Sequence, residues 1–410
     1  MPQDNLDHGL EPAIRVRGLY KIFGRNPGAI LKRVQAGESK DEILKSTGHT
    51  LALADVNFEV MPGEIFIVMG LSGSGKSTLV RCLNRLITPT AGEIWIGNSN
   101  VAALKPRELR HLRMKKMAMV FQGFGLFPHR TVLDNAAFGL EVAGVKREER
   151  YRRALEVLEV VGLKGWADAY PDQLSGGMQQ RVGLARALAP DPDILLMDEP
   201  FSALDPLIRR EMQDELLDLQ DRLNKTIVFI THDLDEALKL GNRIAIMKDG
   251  RIVQIGKPEQ ILMEPADDYV ASFIGDVDRS KVLHAGDVMM RPDALVRIDH
   301  TPRIALRKME QEGLSSVFVV GPGRKLAGIV TLDDAIAAAN REEENLEHLL
   351  LDDFPTTGPD TPLQDLIPVA ARTRFPIAVI DQDRRLLGII VRVTILRALV
   401  NGAQAQPKPV

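Results

Sequence analysis

The run GLSGSGKST at 70–78 has the spacing of a phosphate cradle, a glycine-rich curl followed at once by a lysine and two hydroxyl residues. Gly70, Gly73 and Gly75 let the backbone bend so that successive N–H groups converge on one point, with Ser72 and Ser74 inside the curl. A helix opening here adds the positive end of its dipole, which favours phosphate oxygens. Lys76 can reach the terminal phosphates of a nucleoside triphosphate, and Ser77, followed by Thr78, offers a hydroxyl to Mg²⁺.

Three other runs carry matching chemistry. ILLMDEP (194–200) is an apolar strand candidate ending in Asp198, which can hold Mg²⁺ through its water shell. Glu199 follows and can polarise an attacking water as general base. TIVFITHDLDEA (226–237) is a second apolar run, ending in His232. If both strands end at the ligand-binding edge of an α/β sheet, this histidine can touch the terminal phosphate. LSGGMQQR (174–181) places Ser175, Gly176 and Gly177 just before a helical run, so their free N–H groups and hydroxyl form a second anion site.

These side chains need strands and helices to hold them. EIFIVMG (64–70) reads as a buried parallel strand feeding the curl. Helical patterns lie at 146–161, 176–189 and 206–223, between the strand candidates, so the core is α/β with a mostly parallel sheet. An alternating strand over 14–23 and another at LALADVNFEV flank RNPGAILKRVQAGESKDEILKSTGH, which reads as two short helices with Gly37 and Ser39 at the turn between them. Beyond 280 the sequence repeats. Thr301-Pro302 returns as Thr361-Pro362, and VVGPGRKLAGIV (319–330) as VIDQDRRLLGII (379–390), both 60 residues on. Each copy reads helix, strand, turn, strand, helix, and the two must pack together to bury their apolar faces. The tail NGAQAQPKPV is expected to fray.

Composition narrows the class. The 410 residues are 45% hydrophobic and 26% charged, a globular balance of two or three domains. No apolar run approaches the roughly 18 residues of a membrane helix, and the polar N-terminus lacks a secretory h-region. The single cysteine, Cys82, reads as a small buried hydrophobe in a reducing compartment. A net charge of −4 argues against a nucleic-acid partner. The basic run VKREERYRR (145–153) reads as a solvated helix face.

Taken in order along the chain, the motifs resemble those of the nucleotide-binding subunits of ABC transporters, over about 13–265. On that resemblance 70–78 is Walker A, LSGGM (174–178) the signature, and 194–199 Walker B. SALD (202–205) is the D-loop, whose Asp205 joins the nucleotide-binding set, and His232 is the switch histidine. Gln122, in FQGFGLFP, is the Q-loop glutamine, a Mg²⁺ ligand that acts beside Glu199, His232 and Lys76 in catalysis. The resemblance implies a P-loop NTPase fold, a parallel core sheet plus a helical subdomain. It also implies ATP held between the phosphate loop of one copy and the signature of a second, hence a homodimer. Phe23 would stack on adenine, with Tyr20 the alternative. GFGLFPHRTV (123–132) would face docking helices of the membrane subunit, or else be ordinary core.

Over nearly its whole length the chain resembles the ATPases of glycine betaine/proline (quaternary amine) uptake systems. The 25–49 insert, LVRCLNRLI, LDNAAFGLEVAG and DEPFSALDPLIRREMQDELLDLQ carry that likeness. In that group the C-terminal repeat is a tandem CBS module. The implied organisation is an ATPase domain over 13–275 and an α/β regulatory CBS pair over 280–400. The implied role is to power uptake of a compatible solute from the cytoplasmic face of the cell (inner) membrane. Transmembrane permease subunits and, indirectly, an extracytoplasmic solute-binding protein are the implied partners. Soluble ABC ATPases of ribosomes or DNA usually carry two cassettes or a long coiled coil, and this chain has neither. A purely regulatory protein would not need every catalytic position intact. Gly123 and Gly125 stand where relatives more often carry Ser and Ala. The first CBS copy keeps Thr331 and Asp334, suited to an adenine nucleotide's ribose with the strand around Val317–Val319 facing the base, whereas the second has Val391 and Thr394. An adenine nucleotide and ionic strength are the two signals such a module can read.

Overall fold

The structure, a computed structural model, describes residues 11–275, 278–292 and 294–400, so the polar N-terminus and the 401–410 tail lie outside the described residues. The chain forms two compact units that divide at Pro258/Glu259. The sequence reading ends the first domain later, at 275, and in the structure Met263 already packs against the core of the second CBS-like copy.

The first unit opens with β1 (Ile14–Phe23), then α1 (Pro27–Gln35) and α2 (Lys40–Thr47), then β2 (Thr50–Val60). β1 and β2 are antiparallel and their ladder ends at Phe23↔Thr50, so the two-helix insert leaves and re-enters the sheet at one place. Ser39 starts α2 with a capping box. Its hydroxyl accepts from the Glu42 N–H at 3.3 Å, and the Glu42 carboxylate accepts from the Ser39 N–H at 2.8 Å. Val34 and Ile43 of the insert bury against Ile22, Leu51 and Ala54, which fixes both helices to the sheet.

β3 (Ile65–Met69), α3 (Lys76–Leu83), β4 (Ala91–Ile96), β5 (Ser99–Asn100), α4 (Pro106–Lys116) and β6 (Met117–Val120) follow. Then come α5 (Val132–Val142), α6 (Arg147–Val160), α7 (Gly176–Leu188), β7 (Ile194–Asp198), α8 (Pro206–Leu223), β8 (Thr226–Ile230), α9 (Leu234–Leu240), β9 (Arg243–Lys248) and β10 (Arg251–Gly256). β2-β1-β4-β5 form one sheet, and β10-β9-β3-β8-β7-β6 the other. In the second sheet β9, β3, β8, β7 and β6 run parallel, and β10 adds an antiparallel edge. Every residue of β3, β7 and β8 is buried, as their unbroken apolar runs require of strands covered on both faces. α5, α6 and α7 pack on one another as the helical part. The basic run in α6 is a solvated face: Arg152 and Arg153 both bond Glu149, holding its carboxyl down at about 2.

The second unit repeats one design. β11 (Leu295–Arg297) pairs parallel with β12 (Ser316–Val320), and β12 antiparallel with β13 (Leu326–Thr331). β14 (Thr356–Thr357), β15 (Ile377–Ile380) and β16 (Leu386–Ile390) do the same. The pairs Val319↔Gly328 and Val379↔Gly388 are followed by the same register shift, so the repeat holds down to its irregularity. Phe318, Leu326 and Ile329 of the first copy share a core with Ala378 and Leu386 of the second, as the repeat demands. At the end of β13 the Thr331 hydroxyl bonds the Asp334 carboxylate at 2.5 Å. In the second copy the Thr394 hydroxyl turns back to the Val391 carbonyl at 2.6 Å.

Cys82 is fully buried in α3, and burial pushes its thiol up to about 12. It should therefore be inert in the native protein. A maleimide added at neutral pH should leave the folded chain unlabelled and label it once denatured; rapid labelling of the native chain would contradict the packing of α3.

Candidate nucleotide site

The site is set by strand register. Val68 of β3 pairs with Ile230 of β8, and Ile230 pairs with Asp198 of β7. The three strands therefore end level, and the phosphate loop, Asp198-Glu199 and Thr231-His232 all leave the same edge. In an open α/β sheet this carboxyl edge is where ligands bind.

The loop itself is hemmed in. A side chain on Gly70 (φ 148°) would put its Cβ 2.2 Å from the Met247 carbonyl oxygen, and one on Gly75 (φ 107°) 2.5 Å from that of Ala52. Only glycine fits either place. Lys76 folds back on the curl, donating to the carbonyls of Gly70 at 2.6 Å and Leu71 at 3.1 Å. Burial pushes its ammonium below the ordinary lysine value, while the Glu199 and Asp198 carboxylates pull it back up. The Ser74 hydroxyl is buried without a protein partner. Ser72 lies on the exposed lip of the curl, and Ser77 and Thr78, in the first turn of α3, are half-buried.

The Asp198 carboxylate is almost fully buried and bonds Arg81 of α3 at 3.1 Å. Glu199 takes a left-handed backbone (φ 48°), unusual for a non-glycine residue and concentrated at functional positions. Its N–H donates to the Ile230 carbonyl at 3.1 Å, tying it to β8. Its carboxylate lies 3.1 Å from His232 Nδ1 and 3.5 Å from Gln122 Nε2. Three residues read from separate motifs thus meet at one carboxylate.

Ser175 is the exposed N-cap of α7, its hydroxyl accepting from the Met178 N–H at 3.4 Å. Gly176 is exposed beside it. Gly177 is buried, and a Cβ there would meet Ile208 of α8 at 2.6 Å, so this glycine also brings two helices close. The Asp205 carboxylate caps α8, accepting from the N–H groups of Leu207 and Ile208 at 3.1 Å. Phe23 is exposed with the Lys21 ammonium 4.7 Å above its ring, whereas Tyr20 packs against the insert core. In 123–132, Phe127 packs as a tilted pair with Phe138, centroids 4.6 Å apart, and just before that segment Phe121 stays exposed.

The donor set fits the chemistry read from it. A glycine-walled loop at a helix start, an unpartnered buried hydroxyl and a lysine suit a polyphosphate. The oxygens of Ser77, Asp198 and Gln122 are hard ligands of the kind Mg²⁺ takes alongside a substrate phosphate. Among the described residues no three His, Cys, Asp or Glu side chains cluster as a protein-only metal site.

Known proteins are similar to this chain over most of its length. The ABC transporter family model matches residues 53–202, and the CBS domain model matches 285–341 and 346–401. The glycine betaine transport ATP-binding protein OpuAA of Bacillus subtilis is 54% identical over 386 residues, covering 94% of this chain and 92% of that protein. The chain belongs to the ABC transporter ATP-binding proteins. The glycine betaine/proline betaine transport system ATP-binding protein ProV of Escherichia coli is 49% identical over 389 residues, 94% of this chain and 97% of that one. Among solved structures, a dimeric ATP-binding cassette in a post-hydrolysis state with ADP and Pi is 35% identical, with a TM-score of 0.50. It covers 60% of this chain and 98% of its own.

Two residues of this ABC cassette were missed by reading its motifs alone. Arg81 lies one helical turn beyond Ser77, so it faces the same strand end, a spacing that could have revealed it. Arg186, half-buried in the signature helix, donates to the carbonyls of Gly125 at 2.6 Å and Phe124 at 3.1 Å. It thereby ties the loop after Gln122 to α7, and no local sequence signal marks it.

Lys76 should show its role through pH. Its ammonium is charged below its depressed pKa and neutral above it. ATP affinity should hold near neutrality and fall as pH rises through that depressed value, earlier than an ordinary lysine would titrate. A fluorescence titration of ATP binding across the alkaline range in which the fold persists checks this; a flat profile, or unchanged affinity in Lys76→Ala, would contradict it.

Proposed function

We propose that the chain is the ATP-hydrolysing subunit of an ABC importer that powers uptake of a compatible solute of the glycine betaine/proline type. The observation that carries the hydrolytic part is the meeting of Glu199, His232 and Gln122 beside the phosphate loop. The solute class rests on relatives that span nearly the whole chain and are named for glycine betaine transport. Partners are transmembrane permease subunits, a second copy of this chain and, indirectly, an extracytoplasmic solute-binding protein. The chain would work as a peripheral subunit on the cytoplasmic face of the membrane; no helix among the described residues is long and apolar enough to cross one.

In this reading Lys76 and the loop N–H groups bind the β- and γ-phosphates, and Phe23 stacks on adenine. Ser77, Asp198 and Gln122 hold Mg²⁺, which when bound screens phosphate charge. Glu199 takes the proton of the attacking water, and its strained backbone and its bond to Ile230 fix where that proton goes. His232 orients Glu199 and contacts the γ-phosphate. Ser175, Gly176 and Gly177, exposed or next to exposed backbone, complete the site on the facing copy, with Asp205 at the junction. Residues 13–275 carry hydrolysis, and 280–400 gate transport during osmotic stress. An adenine nucleotide at the first CBS copy, with Asp334 on its ribose, is the ligand form of that gate.

Glu199→Gln keeps the shape and removes the base. ATP binding should survive, turnover in the assembled transporter should fall by roughly 10²–10⁴, and an ATP-bound dimer should accumulate on sedimentation. A wild-type ATPase rate in that variant would remove Glu199 from the mechanism.

A further inference from the structure

The 25–49 insert carries no part of the nucleotide chemistry described so far, yet it touches the phosphate loop. Lys40, in the first turn of α2, places its Nζ 3.1 Å from the carbonyl oxygen of Gly73. The contact is braced. Ile43, one turn further along the same helix face, is fully buried against β1 and β2. Arg33 bonds both Glu38 oxygens, at 2.7 and 2.5 Å, and so locks the turn between α1 and α2. His49 closes the far end, its ring nitrogens 2.7 Å from the Arg25 carbonyl and 3.1 Å from that of Thr47.

What this contact restrains is specific. Gly70 and Gly75 are hemmed in by the carbonyls of Met247 and Ala52, but nothing lies within 4 Å of a Cβ built on Gly73. Gly73 also has φ 78°, a conformation from which glycine turns easily to others. The middle of the cradle is thus the one of these three glycines that the cassette's own packing leaves free to turn. The Gly73 carbonyl and the Ser74 N–H belong to one planar peptide and point opposite ways. A donor holding the carbonyl on the α2 side holds that N–H on the other, where it now closes a turn on the Leu71 carbonyl at 3.1 Å.

We propose that Lys40 is a positioning residue for nucleotide binding: it pins the Gly73–Ser74 peptide in the turn of the phosphate loop and makes the insert a wall of that loop. The inference rests on the reading of 70–78 as the ATP site. Its ammonium adds positive charge beside that site, but its main action is through the loop backbone.

The test compares the full-length chain with Lys40→Ala, Lys40→Arg and Lys40→Gln, measuring ATP affinity at equilibrium, KM and kcat for ATP hydrolysis, and the melting temperature without nucleotide. Loss of one partly exposed charge-assisted bond should weaken ATP binding and raise KM by about 3–10-fold in Lys40→Ala. kcat should change by less than about twofold and the melting temperature by only a degree or two. Lys40→Arg should restore binding, and Lys40→Gln, a donor without charge, should fall between. Unchanged affinity and KM in Lys40→Ala, while the wild type binds ATP, overturns the role of Lys40 and leaves the ATP reading intact. A lowered melting temperature with no rescue by Lys40→Arg shows a merely structural lysine and also overturns it. A wild-type chain that binds no ATP overturns both.

Discussion

The level ending of three buried parallel strands is the constraint on which the rest depends. β3, β8 and β7 pair so that Val68, Ile230 and Asp198 stand side by side. Because side chains alternate along a strand, a slip of one residue would carry Asp198 to the opposite face of the sheet, away from Arg81. Such a slip would leave a buried carboxylate without its partner, which the pairing with Arg81 opposes. Core packing therefore fixes the chemistry: the strands contribute no reacting group beyond Asp198, but they decide where all the others stand.

Each charged group at that edge has a partner within the protein. Lys76 lies on the carbonyls of its own loop, Asp198 on Arg81, and Glu199 on His232. Left without partners, buried charges of this kind would cost several kcal/mol apiece. In the proposed reading, ATP binding is an exchange of partners, with Lys76 trading loop carbonyls for phosphate oxygens. The depressed pKa of Lys76 expresses the same balance, since burial disfavours its charge and the two carboxylates only partly restore it.

Much of this was legible in the sequence. The phosphate loop, the acid pair and the strands beneath them follow from local pattern, because glycine geometry and continuous apolar runs are local properties. The helices at 147–160, 176–188 and 206–223 fall almost where periodicity places them, and the insert forms its two helices about the Gly37–Ser39 turn. The sixty-residue repeat holds even to the shared register shift. What local pattern does not carry is contact between distant segments. The Arg186 grip on the loop after Gln122, the Ile208 side chain against Gly177, and Lys40 over Gly73 all join residues set apart in sequence. The division of the chain at Pro258/Glu259 is of the same kind, because the packing of Met263 into the second repeat is invisible in composition. The exposure of Phe23 beside the packed Tyr20 is likewise decided by where the insert folds back.

The central claim is that ATP bound by the loop of one copy is completed by the signature of another, and labelling across the dimer tests it most directly. One chain carries Lys76→Ala with Ser175→Cys, its partner keeps Lys76 and Ser175, and ATP carries a thiol-reactive group on its γ-phosphate. Cys82 is buried and stays silent. The account predicts that the Lys76→Ala chain is labelled at position 175 only when the partner is present. No labelling of that chain with the partner present, while a chain that keeps Lys76 and carries Ser175→Cys is labelled, would contradict it.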